Sequence, residues 1–462
     1  LLASSAASDV YKRQIYKHKA YKSDKSYKSY NTVRELGRIS ELIKHNSSLQ
    51  LLSSRLFIQV TTILQAVILA RLLGPEGKGE FTEIILWPTL IANLAMFGLY
   101  TGIVRVSAKQ NHYERYDVTR SALYCGLITG VVGAIACFIV NSYYFSASDY
   151  LLIAQVYCVY ALIYSVNRSL SAIHNGRGNL GIFSIASSIL NPVFFIIVGI
   201  LALFHYLTVG TAVIALLVAN LSSCLFMYSK KDKVVAERLY PCGRLMSYSV
   251  RFSPSDFSEP LYAYYDKAII AILLTPYSLG LYTIAYSSAG LIGFVSNSFS
   301  IKIFSDVAQG KRTDVYETIR RNFLIMAISA MVLAVVLPVV IPMFFGEEFK
   351  PSIVPALLLI PVCVLQGQSL IMERAILAKG YPYEGLKAKV ISVVIFAAGS
   401  VTLYLLSFAN LITISILMGG AQCFYLGFLH RRLKKIFPGG TIIPRKSDMS
   451  DLWSNIKSSL TE

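Results

Sequence analysis

The sequence predicts an all-α membrane protein of about twelve transmembrane helices, in two parallel six-helix bundles with pseudo-two-fold symmetry about the membrane normal. Three observations predict it. The 462 residues are 55% hydrophobic and only 15% charged, with a mean hydropathy of +0.56, whereas a soluble protein carries about 25% charged residues. Twelve apolar runs are each long enough to cross a bilayer. One stretch occurs twice, 201 residues apart: residues 70–82 read ARLLGPEGKGEFT and residues 271–283 read AILLTPYSLGLYT. Ala70/Ala271, Leu72/Leu273, Leu73/Leu274, Pro75/Pro276, Gly79/Gly280 and Thr82/Thr283 are identical between the copies. Each copy ends one apolar run and begins the next, as expected for a transporter built from two similar halves.

A spanning helix needs about 20 mostly apolar residues. Such runs cover roughly 52–73, 82–104, 119–141, 150–167, 181–204, 207–228, 246–274, 279–301, 322–345, 353–377, 387–408 and 411–430. Backbone groups in lipid must be satisfied within the segment, so these runs are expected to be helices. They lack the apolar/polar alternation of barrel strands.

The connecting loops test the count. Lys and Arg collect in alternate loops: Arg105, Lys109, Arg115 and Arg120; Arg168 and Arg177; Lys230, Lys231, Lys233, Arg238 and Arg244; Lys302, Lys311, Arg312, Arg320 and Arg321; Arg374, Lys379 and Lys387. Arg431, Arg432, Lys434 and Lys435 follow the last run, and the intervening loops are nearly empty of cations. The alternation places both termini in the cytoplasm. The formal net charge of +18 is thereby accounted for by topology and does not imply a nucleic-acid partner. Six helices separate the repeat copies, so the copies insert in the same orientation. A second match, Gly176-x4-Gly181 with Gly380-x4-Gly385, supports the same halves.

The expected organisation is therefore a basic cytoplasmic segment at 15–50, one bundle at 51–228, a basic linker at 229–245, a second bundle at 246–430 and a basic cytoplasmic tail at 431–462. Residues 1–14 begin without Met and resemble translated sequencing-adapter read-through, so they are set apart from the fold. The seven cysteines show neither CxxC nor ligand spacing, and read as small buried hydrophobes. Histidines and acids form no metal motif, so no metal site is expected. Gly74-Pro-Glu-Gly-Lys-Gly is not a phosphate loop, because Lys78 is followed by Gly and not by Ser or Thr. No loop exceeds about thirty residues, which leaves no room for a catalytic domain. No catalytic residue or cofactor is expected.

The seventh run is the least lipid-like, with Arg251, Asp256, Glu259, Asp266 and Lys267. At about 100° per residue, the three acids fall within an arc of roughly 80° and Lys267 lies close to it. Charges at membrane depth are costly and face a bundle interior or a water-filled cavity. The stripe is therefore expected to line a cavity between the halves; the alternative is that Asp266 and Lys267 form a neutralised structural pair and Arg251 and Asp256 sit among headgroups. On the first run, Arg55, Gln59 and Thr62 share a face, and Gln65 aligns with Asp266 at the repeat offset. Arg55, Gln59 and Gln65 complete the expected cavity set, with Arg55 snorkelling to the surface as its alternative. Gly98-x3-Gly102 and Gly126-x3-Gly130 are expected to pack helices closely.

The two-times-six architecture, the turn after the first run with Gly74, Pro75 and Gly79, its counterpart with Pro276 and Gly280, and the Pro254…Asp266-Lys267 pattern resemble the polysaccharide flippases. These belong to the multidrug/oligosaccharidyl-lipid/polysaccharide exporter superfamily, and the resemblance runs from about 50 to 432. It implies a V-shaped pair of bundles that moves polyprenyl-pyrophosphate-linked oligosaccharides outward by alternating access, for O-antigen, capsule or exopolysaccharide synthesis. A polysaccharide polymerase and glycosyltransferases are the implied partners beside membrane lipids. One departure is that the seventh run is mixed in sign, where such cavities often hold cations for the pyrophosphate; Arg55, Arg251 and Lys267 are the candidates. The acids would also suit H+ or Na+ coupling. A drug or cation antiporter of the same superfamily, and a polymerase enzyme, are the competing readings.

Overall fold

The computed structural model describes residues 47–108, 116–146, 148–230, 238–309 and 314–442. The chain divides into Leu1–Gln59 and Val60–Glu462. Of the first unit only residues 47–59 are described, and they are helical. The segments expected at 1–14 and 15–46, the centre of the linker at 231–237, and the end of the tail at 443–462 lie outside the described residues. The helix packing and the cavities all belong to Val60–Glu462.

The helices in order are α1 (Ser47–Ala95), α2 (Leu99–Ala108), α3 (Val118–Tyr144), α4 (Leu151–Tyr157), α5 (Val159–Gly176), α6 (Leu180–Leu203), α7 (Val209–Ser229), α8 (Cys242–Val250), α9 (Ser253–Leu273), α10 (Pro276–Ala289), α11 (Gly293–Ala308), α12 (Val315–Phe345), α13 (Ile353–Ala378), α14 (Pro382–Leu405) and α15 (Leu411–Ile436). Two short strands, β1 (Tyr116–Asp117) and β2 (Arg238–Leu239), pair in parallel in the connections before α3 and α8.

Among the described residues, ten helices are long and apolar enough to span a membrane. One of them, Ile58–Ala95, is broken at Gly74 (φ 66, ψ −178) and is two spans. A 21-residue helix, α9, is excluded from the ten by its charges. Splitting the first and adding the second restores the expected twelve. Large apolar side chains point outward along these helices, Ile139 on α3 at 63% exposure and Val335 on α12 at 76%. That is the surface of a protein whose solvent is hydrocarbon.

Several runs differ from expectation, among them the eighth, which is split between α10 and α11, and the ninth, which begins at Val315 and takes Arg320 and Arg321 into α12. The seventh is not one helix: α8 ends at Val250, and α9 starts afresh at Ser253 with Pro254 in its first turn. Proline is favoured there because its missing N–H has no helical acceptor to lose. The second run breaks at Phe97 and Gly98, both at positive φ (44° and 76°), before α2 begins. The fourth extends through Gly176, so Arg168 sits inside α5 and not in a loop.

Helix packing follows chain order. Helices α2 to α8 contact one another through α5 with α3, α2 and α7, and through α8 with α2 and α3, whereas α9 to α15 gather around α13, which touches α10, α11, α12 and α15. The small-residue motifs are close approaches. A Cβ on Gly102 would meet Ser249 Oγ of α8 at 2.0 Å, and one on Gly126 would meet Ser169 Oγ of α5 at 2.5 Å. Local geometry also recurs along the chain. α7 and α15 both begin with a capping box, Thr208 with Thr211 and Asn410 with Thr413. The third-position threonine of each donates to a carbonyl five residues back, Tyr206 and Phe408. His205 and Ser407 precede these boxes at φ 57° and 59°.

The repeated turns meet. A Cβ on Gly79 would lie 1.7 Å from the Pro276 carbonyl oxygen, and one on Gly280 would lie 1.8 Å from that of Pro75. Each copy's glycine thus receives the other copy's proline carbonyl, at the end of the molecule called here the turn end. Two side chains bridge the same end. Arg71 donates from Nε to the Phe344 carbonyl at 2.7 Å and from Nη2 to that of Met343. Tyr144 Oη donates toward the Ala271 carbonyl at 2.6 Å. Met343 and Phe344 close α12 and Ala271 closes α9, so these carbonyls are ones that a helix end leaves without an intrahelical donor.

Gly79→Ala and Gly280→Ala, made separately, should each lower the melting temperature in detergent, consistent with roughly 1–3 kcal/mol of overpacking. Gly181→Ala, which has open space around it, should leave it unchanged.

Candidate transport site

Two cavities share Glu259 and Glu373. The outer one, of about 240 Å³, is lined by Asp256, Ser258, Arg374, Tyr381 and Gly385 as well as the shared acids. It lies where α9 and α14 begin and α13 ends, the end opposite the repeat turns and here called the basic end. The inner one, of about 290 Å³, continues between α9, α10, α11 and α13 past Tyr262, Tyr286, Asn297, Gln366 and Lys389.

Lys389 organises the junction. It projects from α14 about two turns after the helix begins, and is 5% exposed. Its Nζ lies 2.9 Å from Glu259 Oε1 of α9 and 2.8 Å from Glu373 Oε1 of α13. Tyr425 of α15 donates to the other oxygen of Glu373 at 2.9 Å. Arg374 reaches Glu259 at 4.0 Å. Two cations therefore answer two acids, and four helices are tied through one ammonium. Gly385 makes room, since a Cβ there would lie 2.7 Å from Glu373 Oε1. Glu259 stays 60% exposed while Glu373 is 15% exposed, so Glu259 is the face that this cluster offers to a guest.

The structure distributes the expected stripe among several environments. Asp256 accepts from Thr101 Oγ1 of α2 at 2.8 Å and lines the outer cavity. Asp266 is 2% exposed, accepts from Tyr282 Oη at 2.9 Å and pairs with Lys267 at 3.4 Å. Lys267 also lies 4.5 Å from the Tyr286 ring centroid. Neither Asp266 nor Lys267 lines the two cavities; their geometry is that of a neutralised buried pair. Arg251 caps α8, is exposed, and lies outside both cavities. Gln65 is buried with its Nε2 3.5 Å from Asn191 Oδ1. Gln59 is exposed, and the side chain of Arg55 lies outside the described residues. Among the described residues these two cavities are walled by α9 to α11 and α13 to α15, not by the first span.

Sequence reasoning misses Glu373, Arg374 and Lys389 as a group. Arg374 reads in the sequence as one of the loop cations. Glu373 and Lys389 carry a readable signal, an acid within the tenth run and a lysine within the eleventh. Their pairing is a tertiary fact, 16 residues apart in sequence across a turn. Among the described residues no cluster of His, Cys, Asp or Glu is suited to a metal ion.

The apolar spans make a multi-pass membrane protein, and its fold is that of solved transporters of the MOP superfamily. The lipid II flippase MurJ, in an inward closed conformation, superposes with a TM-score of 0.67 at 12% identity, over 87% of this chain and 90% of that one. An inward-facing multidrug resistance MATE family transporter of the MOP superfamily superposes at 0.65 and 14% identity, over 83% and 96%. A MOP superfamily transporter from Pyrococcus furiosus gives 0.59 and 14%, over 85% and 97%. No curated protein matches the chain. The chain itself belongs to the polysaccharide biosynthesis protein family, whose profile matches residues 46–304.

Lys389→Met should strand Glu373 in a buried site and destabilise the protein by about 3–5 kcal/mol, the usual effect of removing one partner of a buried pair. Adding Glu373→Gln should recover a large part of that loss. Thermal unfolding of the single and double variants in detergent reads both outcomes.

Proposed function

We propose that the protein flips polyprenyl-pyrophosphate-linked oligosaccharide units from the inner to the outer leaflet of a bacterial cytoplasmic membrane, supplying a surface polysaccharide. The observation that carries this reading is membership of the polysaccharide biosynthesis family over more than half of the chain. The likeness to a lipid II flippase supports it at the level of fold.

In this reading the basic end is cytoplasmic, both termini lie there, and the halves at 51–228 and 246–430 act as parallel bundles joined by the linker at 229–245. The pyrophosphate of the cargo enters the outer cavity beside Arg374, whose 4.0 Å distance from Glu259 leaves its guanidinium able to turn to a second anion. Lys389 and Arg374 balance Glu259 and Glu373, which leaves Asp256, held by the Thr101 hydroxyl, as the remaining carboxylate beside the headgroup. The tyrosines and amides of the inner cavity suit a sugar's hydroxyl groups and its apolar ring faces. Closure at the turn end with an accessible basic end is the loading half of an alternating-access cycle. H+ or Na+ supplies the drive, the protein catalyses no bond change, and polymerase and glycosyltransferases act before and after it on the same lipid.

The second reading is an ion-coupled drug or cation antiporter. The 60% exposed carboxylate of Glu259 favours it, since a cationic guest would be held there.

A deletion strain should accumulate lipid-linked sugar on the inner leaflet and lose surface polymer. Arg374→Ala should cut complementation about ten- to a hundred-fold, as expected for one charge-assisted contact. Unchanged polymer with altered drug tolerance would select the antiporter instead.

A further inference from the structure

Tyr144, at the last turn of α3, has one hydroxyl proton and two acceptors. Ala271 O of α9 lies at 2.6 Å, and Glu83 Oε1 of α1 is also within hydrogen-bond reach. A hydroxyl proton serves one acceptor well. Both contacts hold together only when the Glu83 carboxyl carries a proton and donates it to Tyr144 Oη, leaving Tyr144 free to donate to Ala271. Glu83 is 8% exposed, and the Ala271 carbonyl stands at the end of its helix, where no residue of α9 can serve it.

We propose that Glu83 is a proton-binding site that latches the turn end. With Glu83 protonated, the chain Glu83–Tyr144–Ala271 runs from α1 through α3 to α9 and holds the repeat turns together. When the carboxyl releases its proton to water at the turn end, it becomes an acceptor only. The Tyr144 proton then turns to the carboxylate, because a hydrogen bond to an ionised acceptor is roughly twice as strong as one to a neutral acceptor. The Ala271 carbonyl is left without a donor, and the contact between the halves loosens. Closure is therefore favoured at low pH and lost as pH rises through the titration of Glu83.

The groups around Glu83 are few. Tyr144 faces it from α3, and Glu80 lies one turn back on its own helix, with Tyr150 and Glu76 beside Glu80 in turn. On α9 the nearest charge in sequence to Ala271 is Lys267, which is held by Asp266 at 3.4 Å. The adjoining helix α10 carries tyrosines but no Asp, Glu, Lys or Arg. The site lies at the other end of the molecule from the Glu259–Lys389 cluster and does not depend on what the cargo is.

The test uses spin labels at Glu76→Cys and Tyr277→Cys, two exposed positions on the facing turns, with Cys242 and Cys423 replaced by Ser and the full chain in lipid nanodiscs. The distance distribution is recorded across pH with no cargo present. A short distance should dominate at low pH and give way to a longer one, with the ratio changing by up to about tenfold per pH unit for one linked proton. Glu83→Gln, whose amide can still donate to Tyr144, should stay short at every pH. Tyr144→Phe should show the longer distance even at low pH and lose the pH response, and it carries the test if the first variant fails to fold. Changing sodium at fixed pH should leave the distances unchanged. A wild-type distance independent of pH, a Glu83→Gln variant that titrates like wild type, or a response to sodium in place of protons overturns the proposal. None of these readings involves flipping, so they fail separately from the assigned function.

Discussion

The rest of the structure depends on the reciprocal seating of two glycines. Gly79 takes the Pro276 carbonyl and Gly280 takes the Pro75 carbonyl at distances that no side chain would tolerate. This explains why the sequence repeats at that point. Proline is needed in each copy to start the following span from a turn, and glycine is needed four residues later so that the other copy can approach. The contact involves backbone at both partners, so it cannot be retuned by a rotamer change. It fixes the separation of the second span from α10, and with that the place of the helix ends that Arg71 and Tyr144 reach.

The two ends of the molecule solve different problems. At the turn end, donors on α1 and α3 complete the ends of α12 and α9, a case of helix termini finding side-chain partners on other helices. At the basic end, the problem is charge below the surface, and the answer is a compact group of two cations and two acids within α9, α13 and α14. Isolated, each of these charges would cost several kcal/mol in a low-dielectric interior. Grouped, they bury Lys389 and Glu373 and leave Glu259 and Arg374 partly open to solvent. Asp266 and Lys267 apply the same logic midway between the ends, but with Tyr282 and the Tyr286 ring completing the shell they are closed to any guest.

Much of the fold is legible in the sequence, because lipid allows so few solutions. Run length, loop charge and one repeated turn are sufficient for the spans, and the two helices that hydropathy alone mishandles are recoverable from Gly74-Pro75 and from the charges of α9. Helix ends are less legible. Arg168 and Arg320 lie inside helices that extend beyond their apolar runs. The paired capping turns at His205 and Ser407 are invisible, since Thr208 and Asn410 do the same work with different residues. The site is the least legible part. Helical phase groups Asp256, Glu259 and Asp266 on one arc of α9, but an arc spanning eleven residues passes several environments along a helix 21 residues long. Which acid opens onto a cavity is decided by α13 and α14, from which periodicity along α9 has no information.

Lys389 has a consequence of its own. A gap between two carboxylates is commonly filled by an ion from the medium, and then its occupancy follows the composition of that medium. Here the filling charge is covalently attached. It cannot be diluted, exchanged for a different metal or carried away with the cargo. The charge that joins Glu259 to Glu373 is therefore supplied by the chain itself, whatever ions the medium offers.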